Sequence, residues 1–281
     1  MKISEINIYP IKSLSGISVK SSIVEEKGLQ NDRRFMIVDA NNDFITQREF
    51  SKMVVIETKD LGESLEVSAD GFGKLKIQKQ FEKTNLVKVR IWRSLCEAIV
   101  AKDETNEWFS EVLETKCKLV QMPLQTRRQI NERFNRGDEI VSFADGYPLL
   151  LIGENSLADL NSKLEKRIPM NRFRPNIVVS GSEAFAEDKW KKINIGNTVF
   201  RVTKPCARCV ITTIDQKTGI SDVKEPLKTL ATYRRSRDVI PDAFEEFGLG
   251  RNDVLFGQNL VAENFGGVVK LGDDVKILEL A

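Results

Sequence analysis

Residues 193–215, INIGNTVFRVTKPCARCVITTID, hold both a clear strand pattern and the only closely spaced cysteine pair in the chain. The isoleucines at 193 and 195 lead into Gly196-Asn197, and a second apolar run follows at 199–202. A Gly/Asn turn between two such runs predicts a β-hairpin. Cys206 and Cys209 follow the second strand, so any chemistry of this pair belongs to the end of a hairpin.

Strand signals of the same kind recur along the chain. Residues 87–91 alternate between apolar and charged side chains, which suits a half-buried strand. Further hairpins are predicted around Asp70-Gly71, around Asn41-Asn42, and between residues 268–271 and 275–278. Many short strands with such turns favour a barrel or sandwich over a wound parallel sheet. We therefore predict a mainly β fold with a few helices, of the α+β class.

Three helices are predicted. Residues 105–114 place apolar side chains at i,i+4. Ser156, with Asp159 three residues later, has the pattern of a capping box before a leucine stripe. Pro226 suits the first turn of a helix that runs to about residue 235.

A polar, basic stretch divides the chain into two β-rich parts. Residues 122–138, MPLQTRRQINERFNRGD, have no apolar stripe and are predicted to be a linker or long loop. Residues 1–121 form the first predicted part and residues 139–281 the second. We interpret the four arginines of the linker as a solvated surface: Arg127, Arg128, Arg133 and Arg136.

Composition excludes several functional classes. The chain has 281 residues, a formal net charge of +2 and no histidine. Ser-His-Asp and Cys-His nucleophiles, mixed His/Cys zinc sites and His-ligated haem are therefore impossible. The balanced charge argues against a nucleic-acid partner. The longest apolar run, near residues 149–152, is far shorter than the ~20 residues that cross a membrane. We predict a cytoplasmic protein with reduced thiols and no membrane partner.

The two neighbouring cysteines leave several interpretations open. They can be buried small residues, a redox dithiol or half of a metal site. β-Branched residues at 210–214 argue against a following helix and therefore against a thioredoxin-like site. A single thiolate near Lys204 and Arg208 could instead be a nucleophile, a persulfide carrier or a metal ligand.

Three polar clusters elsewhere in the chain contain cationic side chains, which a hydrophobic core would not need. Tyr9-Pro10-Ile11-Lys12-Ser13 ends the first strand, Arg33-Arg34 precede another, and Arg172 and Arg174 precede a third. Each cluster alone suits a solvated loop. Together, if they converge, they could bind a phosphate or a planar heterocycle.

Five motifs in this order resemble one family. YPIKS, GLQNDRRF, FRPN, CARCVITTID and FGQN are similar to motifs of MOSC proteins with an N-terminal MOSC-type β-barrel, the group that contains the mitochondrial amidoxime-reducing component. The resemblance extends over nearly the whole chain. It implies an N-terminal MOSC β-barrel domain, a C-terminal MOSC barrel and a bound molybdenum cofactor, molybdopterin with its metal.

The resemblance also implies the site. Cys209 matches the cysteine that binds molybdenum, and it is the catalytic candidate. The implied cofactor-binding residues are Lys12, Ser13, Arg33, Asp145, Arg174, Asn176, Cys206, Arg208 and Asn259, the last at a position where relatives can carry a tyrosine.

The implied activity is a molybdenum-dependent oxidoreductase that reduces N-hydroxylated compounds: amidoximes, hydroxylamines or N-hydroxylated bases. Its small-molecule substrate would be reduced with electrons from a separate reductase or electron carrier. The alternatives are a sulfur carrier with a persulfide on Cys209 and a carrier of the cofactor without catalysis.

Overall fold

The structure is a computed structural model that describes residues 1–82, 85–222 and 224–281. Short segments with alternating apolar residues form strands in both halves of the chain. The first half contains helix α1 (Asp103–Leu113) and a 3-10 turn, Ser51–Val55. Its strands are β1 (Lys2–Ile8), β2 (Ile17–Ser18), β3 (Ser21–Glu25), β4 (Gly28–Leu29), β5 (Phe35–Val38), β6 (Glu57–Asp60), β7 (Ser64–Ala69), β8 (Gly73–Gln78), β9 (Leu86–Ile91), β10 (Ser94–Val100) and β11 (Lys118–Gln121).

The second half contains longer strands and three helices. The helices are α2 (Glu154–Lys163), α3 (Leu227–Leu230) and α4 (Ser236–Val239). The strands are β12 (Leu149–Gly153), β13 (Ile177–Ser180), β14 (Trp190–Ile195), β15 (Thr198–Ala207), β16 (Leu255–Ala262), β17 (Val268–Lys270) and β18 (Val275–Leu280). Four 3-10 turns complete it: Glu132–Phe134, Met170–Phe173, Ala186–Lys189 and Val210–Thr213.

The strands form one large sheet and three smaller ones. The eight-stranded sheet has the order β18-β14-β15-β16-β12-β13-β1-β2, and only its β12–β13 pair is parallel among the described pairings. The other sheets are β5-β11-β10-β9, β17-β3-β4 and β6-β7-β8. The predicted mainly β fold with a few helices is therefore confirmed.

The first strand belongs to a sheet that is otherwise built late in the chain. β1 pairs with β13, with Ile6 opposite Ile177, and β3 pairs with β17. Ile6 and Ile177 are fully buried in the largest apolar cluster. The pairing places residues 9–13, which follow β1, beside the second half of the chain. The division at residues 122–138 stays a prediction.

Several local predictions are correct. The hairpin around Asp70-Gly71 is β7–β8, and the hairpin of residues 193–202 is β14–β15. β9 has the predicted alternation, with Val89 and Ile91 buried. Across the turn at Asn41-Asn42, Val38 forms a bridge with Phe44, and the Ile45 N–H donates to the Ile37 carbonyl at 3.1 Å, so the two sides pair as a short irregular hairpin.

Other local predictions are wrong. β17 and β18 do not form a hairpin with each other, because β17 pairs with β3 and β18 pairs with β14. α2 begins at Glu154 after Gly153, so Ser156 is not its N-cap. The Ser156 hydroxyl instead donates to Glu187 Oε1 at 2.7 Å. α3 ends at Leu230, well before residue 235.

Arg128 is also a correction, because its side chain is buried instead of solvated. Its guanidinium donates to the backbone carbonyls of Ser142, Ala144 and Asp145 at 2.6–2.7 Å. Three carbonyl acceptors around one buried cation fix the backbone that carries Asp145.

Two strands approach closely at Gly257. Its φ is +81°, a conformation that glycine adopts without a steric penalty. A Cβ here would lie 2.6 Å from Ile152 Cγ1 and 2.8 Å from the Leu151 carbonyl oxygen. Glycine therefore allows β16 to lie against β12, and β16 also carries Asn259.

Candidate functional site

The predicted site residues line one cleft. It encloses about 790 Å³ of space, part of it open to solvent. Around it lie the loop after β1, the end of β15 and the turn before β13. All ten predicted residues contribute to its wall: Lys12, Ser13, Arg33, Asp145, Arg174, Asn176, Cys206, Arg208, Cys209 and Asn259. Their roles toward a cofactor stay predictions.

Lys12 and Asp145 form an ion pair at the cleft wall. The backbone N–H of Lys12 donates to the Phe35 carbonyl at 2.8 Å, which ties the loop after β1 to β5. Burial lowers the pKa of Lys12 to about 8, although Asp145 favours its charged form. Lys12 is therefore charged at neutral pH and loses its proton more readily than an exposed lysine.

Asp145 accepts hydrogen bonds from several donors. Trp92 Nε1 lies 3.3 Å from Oδ1, and Arg48 Nη2 lies 3.5 Å from Oδ2. Desolvation opposes ionisation of the carboxyl group, but Lys12 and Arg48 outweigh it and hold its pKa well below the usual range. Asp145 is thus an ionised acceptor at neutral pH.

Arg33 is held by a buried carboxylate. Arg33 Nη1 lies 2.7 Å from Oδ2 of Asp32, which is fully buried, and 3.2 Å from Oδ1 of Asn176. The Asn176 amide donates in turn to the Asn7 carbonyl at 3.1 Å. Burial opposes the charge of Arg33, but Asp32 outweighs it and raises the arginine's pKa. Arg33 and Asn176 are therefore fixed before any ligand binds.

Arg174 has few polar partners. Its Nη1 donates to Gln216 Oε1 at 3.3 Å, whereas its Nη2 is buried without a hydrogen-bond partner in the described part of the chain. The guanidinium carbons of Arg174 and Arg33 lie 4.2 and 4.5 Å from the ring centroid of Tyr9. An unsatisfied buried donor that lines a cleft suits an anionic ligand.

Three cleft residues have a left-handed backbone. Ser13, Arg33 and Arg174 have φ values of 68°, 51° and 55°. Residues other than glycine adopt this conformation at a cost of about 1 kcal/mol or more each. Such strain persists only where the surroundings hold it, and it concentrates at functional sites. The three outliers therefore support the cleft as the functional site.

Cys209 directly precedes the 3-10 turn Val210–Thr213. This turn lies within the β-branched run at 210–214, for which no α-helix was predicted, and it is only one turn long. The half-buried Cys209 sulfur lies 3.3 Å from Arg48 Nη2. A thiol and a guanidinium thus face the same cleft.

The remaining predicted residues lie around the cysteines. Arg208 Nη1 donates to Cys206 Sγ at 3.1 Å, and its Nη2 donates to the Phe173 carbonyl at 2.7 Å. Asn259 Nδ2 donates to the Lys204 carbonyl at 3.2 Å. Arg208 and Asn259 therefore brace the end of β15, which carries Cys206 and leads to Cys209.

Arg48 is a cleft residue that the sequence analysis missed. It contacts Cys209 and Asp145, and its guanidinium carbon lies 4.8 Å from the Trp92 ring centroid. The available signal was the polar run Thr46-Gln47-Arg48-Glu49 after a predicted strand. Nothing in its spacing connects it with Cys209, which lies 161 residues away.

The cleft residues fit a metal ion whose ligands come mostly from a bound organic molecule and not from the protein. Among residues 1–82, 85–222 and 224–281, no three His, Cys, Asp or Glu side chains are grouped as metal ligands. The cleft instead offers two half-buried thiols, four arginines, a lysine and, on Arg174, a buried guanidinium nitrogen without a partner. This donor set suits an anionic organic ligand whose metal takes a single protein thiolate.

Two family models cover most of the chain. The model for the MOSC N-terminal beta barrel domain matches residues 1–116, and the model for the MOSC domain matches residues 138–276. The chain belongs to the MOSC family, in the group that carries this N-terminal barrel domain and includes the amidoxime-reducing components.

Individual relatives agree with this assignment. The chain is 34% identical to human mitochondrial amidoxime-reducing component 1, over 98% of this chain and 82% of the relative. It is 34% identical to bovine mitochondrial amidoxime reducing component 2, over 97% and 82%. It is also 33% identical to rice molybdenum cofactor sulfurase, over 92% of this chain but 33% of that protein.

The predicted cytoplasmic location is wrong by this comparison, because the human and bovine relatives are named as mitochondrial components. Across the residues the structure describes, no helix has both the length and the apolar character needed to cross a membrane.

Proposed function

We propose that the cleft binds the molybdenum cofactor through Cys209 and that the chain reduces N-hydroxylated compounds. The single observation that carries this proposal is the convergence of the Cys209 sulfur with Lys12, Arg33, Arg48 and Arg174 around one cleft. A similarity to amidoxime-reducing components along nearly the whole chain supports the choice of reaction.

Different residues of the cleft suit different parts of the cofactor. Arg33 and Arg174 offer charge-assisted donors to a phosphate monoester. Asn176 and the Asp145 carboxylate suit the edge of a flat heterocycle rich in donors and acceptors. When bound, the cofactor supplies a two-electron metal centre that can take up an oxygen atom. The protein orients this group and fixes its thiolate.

The overall reaction balances with outside electrons. An N–OH group becomes N–H and releases water, which consumes two electrons and two protons. A separate reductase or electron carrier would deliver the two electrons. The ionised Asp145 accepts hydrogen bonds from the edge of the heterocycle and does not donate protons at neutral pH.

The test is a pair of matched cysteine variants made in a host that synthesises molybdopterin. Cys209→Ser should lose more than about 100-fold of the amidoxime reduction supported by an artificial electron donor, because serine is a poor ligand for this metal. Cys96→Ser, at a buried thiol outside the cleft, should keep both activity and molybdenum content. Full activity of Cys209→Ser would refute the assignment of the ligand.

The rice sulfurase relative favours a second candidate, a sulfur carrier with a persulfide on Cys209. The same preparations distinguish the two functions. A carrier would release sulfane sulfur to cyanide from molybdenum-free wild-type protein and not from Cys209→Ser. We expect no such sulfur, and molybdenum in near-stoichiometric amount instead.

A further inference from the structure

Tyr9 is a buried aromatic residue that the proposed function leaves unused. It is 3% exposed, and the guanidinium carbons of Arg33 and Arg174 lie 4.5 and 4.2 Å from its ring centroid. Distances below about 6 Å are in the range of cation–π attraction. One ring therefore contacts both arginines of the cleft wall.

The ring is fixed on several sides. The Tyr9 hydroxyl donates to the Pro175 carbonyl at 3.2 Å, and the Tyr9 backbone N–H donates to Asp32 Oδ1 at 2.8 Å. A Cβ at Gly16 would lie 2.5 Å from Tyr9 Cε1, so the ring packs directly against the Gly16 backbone. Because its surroundings hold it in place, the ring can hold the arginines in place.

The two arginines would otherwise be hard to keep together. They carry like charges in a buried site, and Arg174 has no ion pair in the part of the chain that the structure describes. Burial, together with the nearby Arg33, lowers the pKa of Arg174 to about 10. A carboxylate in place of the ring would hold Arg174 but cancel the charge that an anion needs. A ring face attracts both cations and cancels neither charge.

We propose that Tyr9 is a positioning residue whose ring holds Arg33 and Arg174 ready for an anion, independently of its hydroxyl group. The anion in the proposed function is the phosphate end of the cofactor, so this inference rests on that function. Asp32 and Asn176 already hold Arg33, and the shared ring accounts for how the like-charged Arg174 keeps its orientation beside it before the ligand arrives.

The phenol acts here as a neutral ring. Burial raises the pKa of Tyr9 to about 12, although both arginines favour its ionised form. The attraction therefore comes from the ring face and not from a phenolate. Phenylalanine, which has the same ring face, should serve equally well, whereas an aliphatic residue of similar size should not.

The experiment measures inorganic phosphate binding to cofactor-free protein by the rise in Tm, with chloride at matched ionic strength as the reference. Wild type and Tyr9→Phe should bind phosphate with dissociation constants within about threefold of each other. Tyr9→Leu should bind at least about tenfold more weakly, the size of effect that losing a desolvated cation–π pair predicts. Molybdenum content of the loaded protein should follow the same order.

A matched variant separates positioning from general destabilisation. Phe109→Leu truncates a fully buried aromatic in α1, so it should lower Tm without phosphate yet keep the wild-type dissociation constant. Retained phosphate binding in Tyr9→Leu would overturn the inference, as would an equal loss in Tyr9→Phe or no phosphate binding by wild type. Failure of the proposed function is a different result, namely wild-type protein without molybdenum.

Discussion

At the scale of single residues, Asp145 is the hydrogen-bond acceptor shared by several side chains on one side of the cleft. Lys12, Arg48 and Trp92 all direct donors at its carboxylate. The carboxylate is half-exposed, so each contact is worth less than the same contact in the core. Its ionisation nevertheless keeps the buried Lys12 paired, and a buried cation without a partner is costly.

Asp145→Asn tests this arrangement through the dependence of stability on pH. The pKa of Asp145 is lower in the folded protein than in the unfolded chain, so its stabilising contribution is present above about pH 4 and is lost as the pH falls. At pH 6 the variant should be less stable than wild type by up to ~1 kcal/mol, and the difference should shrink toward pH 3.

Urea denaturation at pH 6, 5, 4 and 3 measures the free energy of unfolding for both proteins. A constant difference across this range would show that the Asp145 carboxylate contributes no pH-dependent stability.

The sequence motif in which a residue lies predicted its place in the cleft better than the charge of its side chain did. Lys12, Arg33, Arg174 and Cys209 lie in motifs whose order along the chain resembles the family, and all four line the cleft. Arg48 was missed because its contact with Cys209 depends on how distant segments pack. The buried Arg128 was placed on the surface because a polar neighbourhood in sequence does not show three backbone acceptors gathered around a cation.

At the scale of elements, periodicity predicted strands but not their partners. The hairpins around residues 71 and 196 were predictable because a short turn forces adjacent strands to pair. β17 and β18 have the same local signal, yet each pairs with a strand distant in sequence. Turn residues set which strands can pair locally, whereas burial of a strand's apolar face decides which pairs form.

Gly257→Ala tests the close approach of β16 and β12. The substitution adds a Cβ 2.8 Å from a backbone oxygen and forces a left-handed alanine, so it should cost ~3 kcal/mol or more of unfolding free energy. Gly266→Ala is the matched control, because its φ of +85° is similar but nothing lies within 4 Å of the added Cβ. It should cost only ~1 kcal/mol.

Chemical denaturation of both variants gives the comparison. Equal losses at Gly257 and Gly266 would show that the left-handed backbone, and not the contact between strands, determines the requirement for glycine.

At the scale of the whole molecule, the cleft joins parts that are distant in sequence. Lys12 and Arg33 come from the first predicted part, and Arg174 and Cys209 come from the second. The motifs implied that these residues meet, but the sequence alone gave no physical account of it. The pairing of β1 with β13 provides that account.

A fragment of residues 139–281 should therefore fail to fold alone. Without β1 it exposes the backbone edge of β13 and opens the cluster that contains Ile6. We expect aggregation, or unfolding without a cooperative transition. Co-expression with residues 1–138, which include the buried Arg128, should restore soluble protein. A soluble fragment that unfolds cooperatively without its partner would contradict this expectation.

The position of β1 also has a consequence for synthesis on the ribosome. At roughly 5–20 residues per second, the seven residues of β1 wait on the order of ten seconds or more before β13 is translated. Throughout that interval β1 is without its partner strand β13. Its isoleucines, which are buried in the folded protein, are then exposed to other nascent chains. Loading of the proposed metal would come later still, since Cys209, its proposed ligand, is made after both strands.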